Sequence, residues 1–207
     1  MKIIYRGAES LIRLEDFEGQ EAIVKERISK NYRLNQLDDK LRKERTRKEV
    51  KLLTEARKVG VPTPKILYAG EKDSKIVMEN ISGTRVKEFL NSASELDDRR
   101  VCLEIGRLVG RLHHNNIIHG DLTTSNMILK GDQIFFIDFS LGEISSKIED
   151  KGVDLNLFME ALNSTHFKIA DKCWSNFTDG YKKEYLDAEQ VLEKVKEIKK
   201  RVRYAER

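Results

Sequence analysis

Residues 117–126, IIHGDLTTSN, follow an apolar run and bring several polar groups together in one short loop. Asp121 and Asn126 lie five positions apart in this stretch, and Asp138 follows in the string FFIDFS. The segment between them predicts two short strands that turn tightly at residues 130–132. The sequence therefore places an aspartate, an asparagine and a second aspartate around one predicted hairpin.

This spacing matches the layout that phosphoryl transfer from a nucleotide requires. We predict that Asp121 orients or deprotonates the acceptor, while the amide oxygen of Asn126 and the carboxylate of Asp138 hold Mg²⁺, which prefers hard oxygen ligands. The metal would bridge the phosphates and offset their developing charge. A His-x-Asp triplet alone is common, so ATP and Mg²⁺ are predicted from the whole string. His119 is expected to be a packed loop histidine.

A lysine that contacts phosphates is predicted upstream, in EAIVKE at residues 21–26. This string matches the Val-Ala-Ile-Lys strand of protein kinases and makes Lys25 the candidate for the α- and β-phosphates. Its orienting partner should be a glutamate on the following helix. Glu49 is preferred because its surroundings in RKEVKLL pack, and Glu44 in RKERTR is the competitor. The remaining alternative is that Glu44 and Glu49 are both ordinary surface charges on the helix.

The string IVMENISG at residues 76–83 is predicted to connect two lobes. Met78 would border an adenine pocket, and the backbones of Glu79 and Ile81 would hydrogen-bond the purine edge. An apolar slot with backbone donors and acceptors suits a flat heteroaromatic ring.

The predicted fold class is α+β, with two lobes as in protein kinases. Residues 1–79 form a small β-rich lobe with one main helix at about residues 38–59, and residues 80–84 form the hinge. Residues 85–207 form a reduced, mostly α-helical lobe that ends in a basic helix or tail.

Composition excludes several other classes of protein. Charged residues make up 36% of the 207 residues, and no apolar run has the length of a membrane span or of a signal-peptide core. We therefore expect a cytoplasmic protein with no membrane association. Cys102 and Cys173 lack metal or redox spacing and are expected to be thiols.

Basic residues are unevenly distributed, with runs at residues 40–51 and 194–207 in a chain of net charge +4. Such runs can neutralise nucleic-acid phosphates. They also occur on solvated helix faces where glutamates are interspersed at pairing distance, so both interpretations stay open.

Several strings together resemble one family, the small atypical kinase/ATPase of the KEOPS complex (the PRPK family). The strings, which are spread over the whole chain, are YRGAES, the segment KERISKNYRLNQLDDKLRKERTRKEVKLL, HGDLTTSN, FIDFSLG and EDKGVDLNLFMEAL. The resemblance implies an ATP- and Mg²⁺-dependent atypical serine/threonine kinase that acts chiefly as an ATPase. It also implies the threonylcarbamoyl-transferase subunit and other KEOPS subunits as partners, and a role in threonylcarbamoyladenosine (t6A) modification of tRNA. The family occurs as a separate chain and as a domain fused to that partner. tRNA contact through the basic C-terminal helix is a further expectation.

The N-terminal loop departs from ordinary protein kinases. YRGAES stands where a glycine-rich loop would carry three glycines. In its place, Gly7 and the backbone N–H groups around Ala8, Glu9 and Ser10 are expected to cover the phosphates.

The catalytic loop and the segment after it depart as well. Gly120 replaces the arginine of His-Arg-Asp, and Thr123 replaces a lysine near the transferred phosphate. Only about a dozen residues separate IDFS from GVDLNLF, with no Ala-Pro-Glu, which leaves no room for a peptide-docking platform. By resemblance, Asp154 opens a helix and braces the catalytic loop from below; a plain helix N-terminal charge is the alternative.

Three other functions are compatible with parts of this pattern. A small-molecule kinase of the aminoglycoside or choline type also uses His-Gly-Asp, but it needs a longer helical insert. A RIO-type kinase is a further relative, which the strings TTSN and SKNYR disfavour. A kinase-shaped scaffold without turnover is disfavoured because Lys25, Asp121, Asn126 and Asp138 are all present.

Overall fold

The computed structural model of the chain describes residues 2–7, 9–30, 34–70 and 73–205. The N-terminal part contains a five-stranded antiparallel sheet in the order β1-β2-β3-β5-β4. Ala22, Val24 and Val77 on its central strands are buried and form a small apolar cluster. The strands are β1 (Lys2–Arg6), β2 (Ser10–Phe17), β3 (Gln20–Arg27), β4 (Ile66–Gly70) and β5 (Lys75–Glu79).

One long helix, α1 (Asn35–Lys58), lies between β3 and β4 and begins three residues before the predicted start. It ends where Gly60 takes a positive φ of 81°, a conformation that glycine adopts without steric cost. Its C-terminal half buries Leu52, Leu53 and Ala56 in the same apolar cluster as Leu122 of the catalytic loop. The main helix of the first lobe is therefore packed into the core of the second lobe.

The chain crosses to the second lobe through a short irregular segment after β5. It continues into β6 (Thr84–Arg85), the short α2 (Val86–Leu90) and α3 (Glu95–His114). Ser94 caps α3, since its hydroxyl accepts a hydrogen bond from the Asp97 N–H at 3.3 Å.

Short strands carry the polar loop that follows α3. The strand β7 (Ile117–Ile118) leads into the loop, and a turn of 3-10 helix (Thr124–Asn126) ends it. The predicted hairpin is formed by β8 (Met127–Lys130) and β9 (Gln133–Phe136), with Lys130 opposite Gln133. β6 extends this hairpin to three strands, while β10 (Glu143–Ile144) pairs with β7.

Three helices complete the chain: α4 (Ile148–Thr165), α5 (Ala170–Glu184) and α6 (Ala188–Ala205). α3 and α5 approach closely because glycines lie between them; a Cβ on Gly180 would be 2.0 Å from the carbonyl oxygen of Leu103. Cys102 and Cys173 are buried in this region as free thiols, as predicted.

The two-lobed α+β architecture predicted from the sequence is confirmed. One detail is wrong: Asp154 does not open a helix, because α4 begins six residues earlier, at Ile148. The lobe boundaries at residues 79 and 84 stay predictions. Among the helices that the structure describes, none is long and apolar enough to cross a bilayer.

Candidate active site

A cleft with a volume of about 860 Å³ lies between the two lobes. Its lining comes from the sheet, from the segment between the lobes and from the polar loop. The sequence-predicted residues that line it are Lys25, Glu49, Met78, Glu79, Ile81, Asp121, Asn126 and Asp138.

Lys25 is buried in the cleft between two carboxylates. Its side chain, 4% exposed on β3, places Nζ 2.6 Å from Oε1 of Glu49 and 2.8 Å from Oδ1 of Asp138. Burial by itself would lower the pKa of Lys25, but the charges of Glu49 and Asp138 raise it above the ordinary value. The ammonium group therefore stays charged and joins the first lobe to the second.

The structure pairs Lys25 with Glu49 and not with Glu44. Glu44 lies on the exposed face of α1, with its carboxylate 3.9 Å from Lys40. Glu49 is 1% exposed and has a second cationic partner, Arg27, whose Nη2 lies 2.5 Å from Oε2. Arg27 stands two positions after Lys25 on β3, so both side chains project from the same face of the sheet.

Asp138 follows β9 in a left-handed conformation with φ of 63°, which a non-glycine residue rarely adopts. Its Oδ1 accepts hydrogen bonds from the Ser140 N–H at 3.2 Å and the Ser140 hydroxyl at 2.5 Å. Burial opposes ionisation, but Lys25 and Ser140 lower the pKa of Asp138 to about 2. The carboxylate is therefore ionised at neutral pH.

Asp121 and Asn126 contact each other across the polar loop. The Asn126 amide group donates to the Asp121 carbonyl at 2.9 Å and to Asp121 Oδ2 at 2.8 Å. These bonds fix the amide orientation and turn Asn126 Oδ1 away from Asp121. Within the described part of the chain, neither Asn126 Oδ1 nor Asp138 Oδ2 accepts a hydrogen bond.

These two oxygens fit a magnesium ion. Mg²⁺ binds few protein ligands, chiefly carboxylate and amide oxygens, and completes its octahedral shell with phosphates and water. Residues 2–7, 9–30, 34–70 and 73–205 contain no group of three or more His, Cys, Asp or Glu side chains arranged for a metal. One amide oxygen and one carboxylate oxygen are the donors that these residues offer to a metal.

Asp154 lies beneath the loop and is almost completely buried. Its two oxygens accept hydrogen bonds from the N–H groups of His119 and Gly120, each at 2.9 Å, and Oδ2 is 3.2 Å from Nε2 of His113. Burial opposes the charge, but these partners lower the pKa of Asp154 below its ordinary value. Asp154 thus holds the backbone that precedes Asp121.

The backbone conformation requires a glycine at position 120, where ordinary protein kinases carry an arginine. Its φ is 81°, and a Cβ at this position would lie 2.3 Å from the carbonyl oxygen of Leu141. An L-residue would be strained here and would push away the segment after Asp138. His119 is buried against Phe139, with ring centroids 4.5 Å apart, which confirms a packed loop histidine.

The segment between the lobes contributes Met78 and Ile81, both buried at the cleft. The Glu79 N–H already donates to the carbonyl of Lys65 at 2.8 Å, so it is not available to a ligand.

The N-terminal loop does not have the position predicted for a segment that covers the phosphates. The N–H of Gly7 donates to the carbonyl of Ser10 at 2.9 Å, and the carbonyl of Glu9 accepts from Ile28. Gly7, Glu9 and Ser10 are not among the described cleft-lining residues, whereas Tyr5 of β1 is. Ala8 lies outside the described residues.

Sequence reasoning missed several residues that hold this site. Arg27 could have been predicted, because it stands two positions after Lys25 and side chains at that spacing project from the same face of a strand. His113 and Arg85 carry no local signal: His113 reaches Asp154 from α3, and Arg85 donates from β6 to the carbonyl of Ser125 in the loop.

Known proteins resemble this chain in sequence and in fold. The model of the lipopolysaccharide kinase (Kdo/WaaP) family matches residues 14–181, so the chain falls within that wide family. The KEOPS complex subunit Bud32 of Pyrococcus abyssi is 43% identical over all of this chain and 98% of its own length. The chain belongs to the Bud32 family.

Other relatives of the chain are longer proteins. A probable bifunctional tRNA threonylcarbamoyladenosine biosynthesis protein of Methanothermobacter thermautotrophicus is 42% identical over 99% of this chain, which spans only 37% of that protein. Among solved structures, the Rio2 kinase of Chaetomium thermophilum, in an ADP/Mg²⁺-phosphoaspartate complex, matches with a TM-score of 0.65 at 14% identity. The match covers 99% of this chain and 72% of the Rio2 kinase chain. That match shows the protein-kinase-like fold.

Charge reversal at the two candidate glutamates tests the lysine partner. Glu49→Lys puts a third cation beside Lys25 and Arg27 in a buried space, so we expect ATP binding and turnover to fall by at least roughly 100-fold. Glu44→Lys alters an exposed ion pair of small energetic value and should leave both within about twofold. ATP affinity measured by calorimetry and steady-state turnover separate the two variants. The opposite ranking would make Glu44 the functional partner.

Proposed function

We propose that this Bud32-family chain binds ATP with Mg²⁺ in the cleft and transfers the γ-phosphoryl group, as an atypical serine/threonine kinase that acts chiefly as an ATPase. The supporting observation is that Lys25, Asp121, Asn126 and Asp138 line one cleft, with Lys25 fixed between Glu49 and Asp138. Kinase-type phosphoryl transfer depends on positioning such charges around the phosphates.

Each residue has a distinct role in this proposal. Lys25 binds the α- and β-phosphates, and Glu49 keeps its ammonium group oriented. Asn126 and Asp138 hold Mg²⁺, which supplies electrostatic stabilisation of the negative charge on the transferred group. Asp121 orients the attacking hydroxyl or water and accepts its proton. Asp154 supports the loop by its bonds to the backbone at His119 and Gly120.

The adenine ring would occupy the apolar end of the cleft beside Met78. Because the Glu79 N–H is used by Lys65, the carbonyl of Glu79 and the backbone of Ile81 are the proposed contacts to the purine edge. The backbone of residues 7–10 (Gly7, Ala8, Glu9 and Ser10) is proposed to cover the phosphates after a rearrangement, since Gly7 and Ser10 bond to each other here.

The residues around Asp121, where the acceptor would bind, favour transfer of the phosphoryl group to water over transfer to a protein hydroxyl. Gly120 and Thr123 stand where ordinary protein kinases carry cations, and β10 together with α4 follows Asp138 after a short segment. No long activation segment is present in the sequence to hold a peptide. A water molecule beside Asp121 is therefore the proposed main acceptor.

We propose that the chain acts as a KEOPS subunit in t6A modification of tRNA. The name of the P. abyssi relative, which is covered almost completely, supports the complex, and the names of the bifunctional relatives support the pathway. Those relatives are named as bifunctional, which places two activities on one chain. The proposed direct partner is thus the threonylcarbamoyl-transferase subunit, with further KEOPS subunits alongside.

The basic C-terminal helix is proposed to contact tRNA with only some of its cations. Lys194 and Arg201 form ion pairs with Glu149 at 3.4 and 2.9 Å, which attach α6 to α4. Lys199 and Lys200 are exposed, and the described residues provide no ion-pair partner for either. These two lysines are the better candidates for phosphate contacts.

A second candidate function is phosphorylation of a hydroxyl group on a small molecule. The match to the lipopolysaccharide kinase family model over residues 14–181 supports it. The 43% identity to a KEOPS subunit over the whole chain supports the first proposal more strongly.

ATP turnover by the purified chain, with and without a transferase partner and tRNA, tests the proposed chemistry. Asp138→Ala removes a metal ligand and should lower turnover on the order of 100-fold. Asp179→Ala, at an exposed position on α5, is the matched control and should retain full turnover. Equal turnover by the Asp138 variant and wild type would refute the metal assignment. Partner binding with no turnover by wild type would favour a scaffold.

Salt-dependent tRNA binding tests the role of α6. Changing Lys199 and Lys200 together to alanine should weaken binding and reduce the salt slope by roughly 1 to 2. The control changes Lys130 and Lys147, which are exposed on the hairpin and before α4. Unchanged affinity and slope for the α6 variant would refute tRNA contact through this helix.

A further inference from the structure

We propose that His166 is a positioning residue for the catalytic loop, holding the 3-10 turn that carries Asn126. This inference rests on the proposed ATP chemistry and assigns a residue to it that lies outside the loop. His166 follows the last residue of α4 and is 4% exposed. Its ring joins the turn at Thr124 to Asn91 at the edge of the cleft.

The two ring nitrogens of His166 have different partners. Nε2 lies 3.0 Å from the hydroxyl of Thr124, and Nδ1 lies 3.1 Å from Oδ1 of Asn91. Burial and the nearby charge of Lys87 lower the pKa of His166, which favours the neutral ring at pH 7. A neutral ring has one donor and one acceptor. Nδ1–H therefore donates to the Asn91 oxygen, and Nε2 accepts from the Thr124 hydroxyl.

Three successive residues of the turn are each held by a different group. The Thr124 hydroxyl bonds to His166, the Ser125 carbonyl accepts from Arg85, and the Asn126 amide bonds to Asp121. Arg85 is exposed, whereas both His166 and Thr124 are buried. A hydrogen bond that is shielded from water fixes geometry better than an exposed one, because its groups have no alternative partner.

These hydrogen bonds determine the position of Asn126. Thr124 begins the turn that ends at Asn126, so a shift at Thr124 displaces the amide oxygen proposed to bind Mg²⁺. His166 is not among the described residues that line the cleft, and so it does not border the adenine end beside Met78. Loss of the His166–Thr124 bond should therefore impair metal use and the chemical step while leaving nucleotide affinity nearly unchanged.

Two substitutions at His166 separate its bonds. Glutamine places a polar group near the position of Nε2 and retains a partner for Thr124, whereas asparagine places one near Nδ1 and retains a partner for Asn91. Thr124→Val removes the hydroxyl without changing the size of the side chain. His114→Ala, at an exposed histidine, is the control.

We expect His166→Asn and Thr124→Val to lower kcat by on the order of fivefold to tenfold, the loss that one hydrogen bond represents. Both should raise the Mg²⁺ concentration for half-maximal turnover and change KM for ATP by less than about twofold. His166→Gln and His114→Ala should remain within about threefold of wild type. The double variant of His166→Asn with Thr124→Val should lose no more than either single variant.

Several outcomes would overturn the proposal. A merely structural role would lower the melting temperature and the active fraction but leave the Mg²⁺ dependence unchanged in every variant. Wild-type behaviour of Thr124→Val would refute the assignment even where His166→Asn fails to fold. If wild type shows no turnover, the proposed function fails. Mg²⁺-dependent ADP binding measured by calorimetry then tests His166 with the same variants, and equal Mg²⁺ dependence would refute its role.

Discussion

The site depends on the ion pairs that the buried ammonium group of Lys25 forms with Glu49 and Asp138. A buried cation is stable only when carboxylates compensate for its lost hydration, so both partners must stay in place. One comes from α1 and the other from the end of β9, and the ion pairs therefore fix the separation of the two lobes at the cleft. Arg27 adds a second cation on Glu49 and balances the charges of the cluster.

Apolar packing makes this charge arrangement rigid. Leu52 and Leu53 follow Glu49 on α1 and belong to the same cluster as Leu122 and Phe139, which directly follow Asp121 and Asp138. Below the loop, Asp154 satisfies two backbone donors that would otherwise be buried without partners. The loop can thus hold its polar groups toward the cleft while its backbone is fixed from the core side.

The sequence was sufficient for features set by local spacing. The hairpin that turns at residues 130–132 and the preference for Glu49 both follow from residues near each other in the chain. Contacts that depend on helix packing were not predictable: His113 reaches Asp154 from 41 positions away, and His166 reaches Thr124 from 42. The expected phosphate lid also differs, because the Gly7 N–H donates to the carbonyl of Ser10.

A crystal structure of the chain with a non-hydrolysable ATP analogue and Mg²⁺ tests the central claim most directly. We expect Lys25 Nζ to contact the phosphates, and the metal to lie about 2.0–2.1 Å from Asn126 Oδ1 and from a carboxylate oxygen of Asp138. The adenine ring should lie beside Met78. A nucleotide bound outside this cleft, or a metal that contacts neither Asn126 nor Asp138, would contradict the account.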